Sequence, residues 1–208
     1  MFFICPTVTA FDPHEYRTQM ERLQPFCERV HIDLMDGEFA PTKSPGLDQV
    51  WWPESMKADI HLMYQNPMTQ VEQLINLRPH LVIIHYEASV NHREFADQLH
   101  RFGIKAGLAL LKDTPVEKTY DVLPSYDHVL VFSGDLGKHG GVADLSLLAK
   151  VQQIHAYHAK AEISWDGGIN DQNAKALIDG GVDVLNVGGF IQNSADPAAA
   201  YAKLKAIE

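Results

Sequence analysis

The residues best placed to do chemistry lie in one stretch, Val30-His31-Ile32-Asp33-Leu34-Met35-Asp36-Gly37. It begins as an apolar run of strand character and ends in Asp-Gly, a turn signal. Residues i and i+2 of a strand share a face, so His31 and Asp33 point the same way. An imidazole beside a carboxylate near a strand's end suits a divalent metal. It equally suits two buried polar groups that merely satisfy each other. Other apolar runs tip the balance, because they also end on ionisable residues: Asp59-Ile60-His61-Leu62-Met63, Ile84-His85-Tyr86-Glu87 and Trp165-Asp166-Gly167-Gly168. Ionisable groups crowded on one rim favour a shared site over scattered structural roles.

The elements that must position these groups follow from the hydrophobic pattern. Short apolar runs over 2–6, 29–33, 58–63, 81–85, 105–110, 128–132, 162–165 and 184–187 read as strands. Amphipathic stretches over 15–23, 68–77, 91–102, 145–155, 171–179 and 197–207 read as helices, with weaker helical signals near 47–52 and 114–123. Asn170 and Asp171, and Asp196 before Pro197, look like helix starts. Eight strands alternating with about as many helices predict a single-domain (β/α)8 TIM barrel over residues 1–208. A doubly wound open sheet is the rival, but no Gly-x-Gly-x-x-Gly follows the first strand. In a barrel the chemistry belongs at the C-terminal strand ends, where Pro6-Thr7 and Val187-Gly188-Gly189 also fall.

With these motifs in order, the chain resembles the ribulose-phosphate 3-epimerase family. The second-strand match is His31-Ile32-Asp33-Leu34-Met35-Asp36-Gly37 and the third Asp59-Ile60-His61-Leu62-Met63. Ile84-His85-Tyr86-Glu87, Gly107-Leu108-Ala109-Leu110, Thr114-Pro115-Val116-Glu117 and Trp165-Asp166-Gly167-Gly168-Ile169 continue it. The resemblance implies that His31, Asp33, His61 and Asp166 hold one divalent metal and that Asp33 and Asp166 are the acid/base pair. It also implies that Met35 and Met63 shield the intermediate from water, although core filling is the usual role of methionine.

Such a reaction explains the residue types. Inverting the carbon beside a ketone removes one proton and returns another on the opposite face. Two carboxyl groups flanking the substrate can do this if one is protonated and the other is not. The enediolate between the two steps carries a negative oxygen that a metal can stabilise. Neutral histidines suit Zn2+, and Fe2+ or Mn2+ could use the same nitrogen and oxygen donors. The phosphate needs its own grip. In barrels this commonly lies at the loops after strands seven and eight, where Gly167-Gly168 and Gly188-Gly189 fall, with Gly140-Gly141 of the sixth loop adding amides.

The chain departs from the family pattern around the substrate and not around the metal set. The sixth loop, Ser133-Gly134-Asp135-Leu136-Gly137-Lys138-His139-Gly140-Gly141, lacks the usual Pro-Gly-Phe. Phe132 stands where a methionine is expected, Leu111-Lys112 where Asn-Pro is, and Gly188-Gly189 where Gly-Ser is. Lys138 is a candidate to close over the phosphate in place of the missing hydroxyl. The leading expectation is a D-ribulose 5-phosphate/D-xylulose 5-phosphate epimerase. A ketohexose 6-phosphate (allulose 6-phosphate) epimerase and a phosphosugar-binding barrel of low turnover are the alternatives.

Composition narrows the partners. The formal charge of −10 argues against nucleic acid, and no apolar run is long enough to suggest a membrane span. Cys5 and Cys27 form no spacing motif and fit a reducing compartment. The N-terminus reads as a first strand with no signal peptide, so a cytoplasmic location is expected, with a phosphorylated ketose and further copies of the chain as partners.

Overall fold

A computed structural model describes residues 2–138 and 140–207. Its eight strands are β1 (Phe3–Thr9), β2 (Arg29–Met35), β3 (Lys57–Met63), β4 (Leu81–His85), β5 (Lys105–Leu110), β6 (His128–Phe132), β7 (Glu162–Asp166) and β8 (Val184–Val187). Neighbours in sequence pair in parallel all the way round, and β8 pairs with β1, closing the (β/α)8 barrel. Closure leaves no sheet edge, and parallel pairing needs the crossover helices that cover the outer face.

The helices are α1 (Pro13–Leu23), α2 (Val71–Leu77), α3 (His92–Arg101), α4 (Leu148–Tyr157), α5 (Ala174–Asp179), α6 (Gly189–Gln192) and α7 (Pro197–Lys205). Caps explain several starts. Asp12 accepts from the backbone N–H of His14 and Glu15, and Asp196 from that of Ala199. The start expected at Asn170 falls three residues later, because Asn170 and Asn173 bond each other's turn before the helix begins at Ala174. The stretch over 47–52 forms turns instead of a helix. There the Tyr16 hydroxyl donates to the Trp51 carbonyl at 2.6 Å and holds the backbone open.

Period-two alternation divides the buried side chains. Outward residues such as Ile32, Leu34, Ile60, Leu62, Ile163 and Trp165 pack in the main core with helix residues such as Met20, Phe95 and Leu204. Inward residues are far more polar. A small apolar cluster of Leu81, Ile83, Ala109 and Leu130 is separate from that main core. At the N-terminal strand ends Arg29 of β2 reaches across the interior to Glu162 of β7 at 2.7 Å and bonds Asp59 of β3 at 2.6 Å. His128 bridges Glu162 and Ser164 at 2.9 and 2.6 Å.

This floor sets an acid limit. Burial would raise the Glu162 carboxyl, but hydrogen bonds from His128 and Arg29 outweigh it and hold the group well below the usual carboxylate range. A depressed carboxylate contributes stability that is fully present above its unfolded value near 4.5 and is lost as pH falls through the folded one. Glu162→Gln is therefore expected to cost about 2 kcal/mol at pH 7, and less as pH drops below about 4, in urea unfolding across pH. An unchanged difference at every pH would show that Glu162 contributes nothing through its charge.

Candidate active site

Above the floor, the register brings the chemical residues to one wall. His31, Asp33 and Met35 alternate inward along β2, and Asp33 and Met35 pair with His61 and Met63 of β3. Asp33 Oδ1 lies 2.9 Å from His61 Nδ1 and 3.2 Å from His31 Nε2, and those two nitrogens are 3.3 Å apart. Asp166 ends β7, and one donor atom from each of His31, Asp33, His61 and Asp166 lies within 4.8 Å of the others. The set fits a metal. Ligands about 2.0–2.1 Å from one ion must stand roughly 3.0–3.4 Å from one another, the spacing the three β2 and β3 donors already have. Both histidines are fully buried, so the donors are held in place before any ion arrives.

Thr9, which no sequence pattern had singled out, completes the Asp33 environment. It pairs with Asp33 across β1 and β2 and donates its hydroxyl to Oδ2 at 2.6 Å. Asp33 thus has both oxygens engaged. Burial would raise its carboxyl, but the hydrogen bonds and charge of His31 and His61 outweigh burial and hold it well below the carboxylate range. Asp166 is pushed the other way, first by burial and then by the charge of Asp33. Burial likewise holds His61 below its usual range, against the pull of Asp33. The protein's own groups therefore give two neighbouring carboxyls opposed proton affinities.

A cavity of about 580 Å3 opens above this wall. Asp33, Asp166, Met35, Met63 and Thr7 line it, while His31 and His61 lie beneath its surface. Every glycine expected around the phosphate also lines it: Gly140, Gly141, Gly167, Gly168, Gly188 and Gly189. Lys138 is exposed on the same rim, and His139 falls outside the described residues.

The seventh-loop glycines have a second reason to be glycine. A Cβ on Gly167 would lie 2.3 Å from the backbone nitrogen of Gly134, and one on Gly168 would lie 2.2 Å from that of Ala143. The sixth loop crosses them backbone to backbone, a long-range contact with no local signature in the sequence. Gly189 is different. A Cβ there meets nothing closer than Asn193 Nδ2 at 3.5 Å, so a serine would fit.

The fourth strand contributes below the cavity. His85 Nε2 lies 2.9 Å from His61 Nε2, and Phe132, in place of the expected methionine, packs edge-on against the His85 ring at 5.5 Å. Lys150 of α4 is buried and donates to the carbonyls of Leu111 and Thr114 at 2.6 and 2.7 Å. The backbone of the fifth loop turns back on α4 and supplies the acceptors, which helical periodicity alone cannot reveal.

Comparison with known proteins gives the family and, separately, the fold. The model of the ribulose-phosphate 3 epimerase family matches residues 3–192. The chain belongs to that family. A ribulose-phosphate 3-epimerase of Mycobacterium bovis is 33% identical over 186 residues, covering 85% of this chain and 80% of the relative. That of Schizosaccharomyces pombe is 27% identical over 209 residues, covering 97% and 92%. Among solved structures, 3-hexulose-6-phosphate synthase from Salmonella typhimurium superposes with a TM-score of 0.73 at 15% identity, covering 99% of this chain and 98% of that one. At that identity the likeness concerns the barrel alone. The family match thus spans the positions of His31, Asp33, His61 and Asp166, on a fold shared more widely.

Proposed function

We propose that this family member is a metal-dependent sugar-phosphate 3-epimerase that interconverts D-ribulose 5-phosphate and D-xylulose 5-phosphate. The observation that supports this most is the pair Asp33 and Asp166, meeting at one cavity wall with opposed proton affinities. In one direction Asp33, ionised, takes the proton from C3, and Asp166, protonated, returns one to the opposite face. The reverse epimerisation exchanges their roles. Met35 and Met63 line the cavity beside Asp33 and keep water from the carbanionic carbon. Thr9 holds the Asp33 carboxylate at a fixed angle while its proton moves. His31, Asp33, His61 and Asp166 would hold the ion, zinc first and iron or manganese next, which supplies Lewis-acid stabilisation of the negative oxygen beside C3.

The glycine pairs of the sixth, seventh and eighth loops line one rim of the cavity, where backbone amides would suit the phosphate. A panel of pentulose and hexulose phosphates, read by net epimerisation and by exchange of the C3 proton with solvent, tests the reading. Turnover of the pentulose phosphates supports it. Faster turnover of a ketohexose 6-phosphate would move the substrate, and binding without C3 exchange would remove the enzyme activity.

Lys138 answers a specific need in this scheme. The chain is acidic, and Gly189 offers no hydroxyl to the phosphate. A lysine on a flexible stem can meet a phosphate without fixed geometry. Lys138→Ala is expected to weaken binding of the phosphorylated ketose by about 1–3 kcal/mol at low salt, and of the dephosphorylated sugar hardly at all. Adding Gly189→Ser should recover part of the loss. Equal affinity of Lys138→Ala and the parent for the phosphosugar would leave Lys138 without this role.

A further inference from the structure

We propose that His85 and Glu87 fix His61 in the tautomer that offers its Nδ1 lone pair to the cation, an inference that rests on the metal reading above. His61 and His85 are fully buried, with their Nε2 atoms 2.9 Å apart. One of these nitrogens must carry a proton and the other accept it. The opposite nitrogen of His61, Nδ1, faces Asp33 Oδ1 at 2.9 Å and draws a proton of its own. Two self-consistent arrangements follow. In the first, His61 Nδ1–H donates to Asp33 and His85 Nε2–H donates to His61. In the second, His61 Nε2–H donates to His85, and His85 carries its proton on Nδ1. Only the second leaves His61 Nδ1 able to bind a metal.

Glu87 selects the second arrangement. Its Oε2 lies 3.5 Å from His85 Nδ1, and both atoms are buried without a hydrogen-bond partner, so each is positioned to serve the other. A carboxylate can only accept, which places the His85 proton on Nδ1 and frees Nε2 to receive from His61. The carboxylate is itself fastened from behind. Its Oε1 accepts from the Leu111 N–H at 3.1 Å and from the Thr114 hydroxyl. Lys150 grips the carbonyls of those same two residues from α4. Phe39 and Phe132 lie against the His85 ring at 4.8 and 5.5 Å and hold its plane. His85 and Glu87 are thus positioning residues for a ligand they reach only through His61.

Long-range 1H–15N correlation spectra of the zinc-loaded, imidazole-labelled protein test this without any substitution. His61 should be protonated on Nε2 and His85 on Nδ1. Zinc binding with His85 protonated on Nε2 would overturn the proposal and leave the metal reading standing. Chelator competition supplies a second test. His85→Leu should raise the zinc dissociation constant about 10–100-fold. His85→Gln, whose side-chain carbonyl can stand where Nε2 stood, should recover most of that loss. Leucine binding zinc as tightly as the parent, or glutamine no better than leucine, would overturn it. An unsubstituted protein that takes up no zinc, iron or manganese would end the metal reading and this inference together.

Discussion

Asp33→Asn and Asp166→Asn are each expected to lower kcat for epimerisation by about 100- to 10,000-fold, the range general acid–base groups supply. A site with one working carboxyl can remove a proton and return it to the face it came from, but it cannot invert the centre. One of the two variants should therefore still exchange the C3 proton in deuterated water without forming the epimer. Net epimerisation followed in a coupled assay, with exchange followed by NMR, separates the two steps. Turnover at the parental rate by either variant would sink the two-acid assignment. The opposed proton affinities also set the pH profile. The rate falls on the acid side as Asp33 gains a proton, and its depressed affinity moves that limb well below neutral. It falls on the alkaline side as Asp166 loses its proton; burial and the Asp33 charge raise that limb, and a bound cation would lower it again. The two apparent values belong to the pair and not to either residue.

The second large effect concerns the donors. His31→Ala or His61→Ala should strip bound metal and lower activity together. The loss in affinity should exceed the roughly 10–100-fold typical of groups that touch a metal only through another residue. Metal content after dialysis, measured beside activity and thermal unfolding of the metal-free form, distinguishes a lost ligand from a lost fold. A parental protein that holds no metal and works in strong chelator would disprove the dependence.

Much of this site was legible in the sequence, because two rules act together. Strand periodicity places His31 and Asp33 on one face, and the barrel puts strand ends on one rim, so residues far apart in the chain converge. Thr9 was hidden because strand one was expected to stop at Pro6. A proline removes only one donor, and the three residues beyond it pair with β2, which carries the strand to Thr9. The burial of Lys150 has no local sign, because its partners are carbonyls of a loop distant in sequence. The crossing of the sixth loop over Gly167 and Gly168 left no trace for a similar reason. It is a meeting of backbones, and backbone atoms are the same in every residue.

The ionic floor beneath the site has a consequence for traffic. Arg29, Asp59, Glu162 and His128 join four strands beneath the site, with side chains bonded to one another at the N-terminal end of the barrel. The cavity is lined by the C-terminal strand ends and the segments beyond them, so a molecule enters and leaves at that rim. Substrate and product of an epimerisation differ in the handedness of a single carbon, and here they would use one doorway in both directions. Each epimer must leave before the other can enter, so the exit of one becomes the admission control of the other.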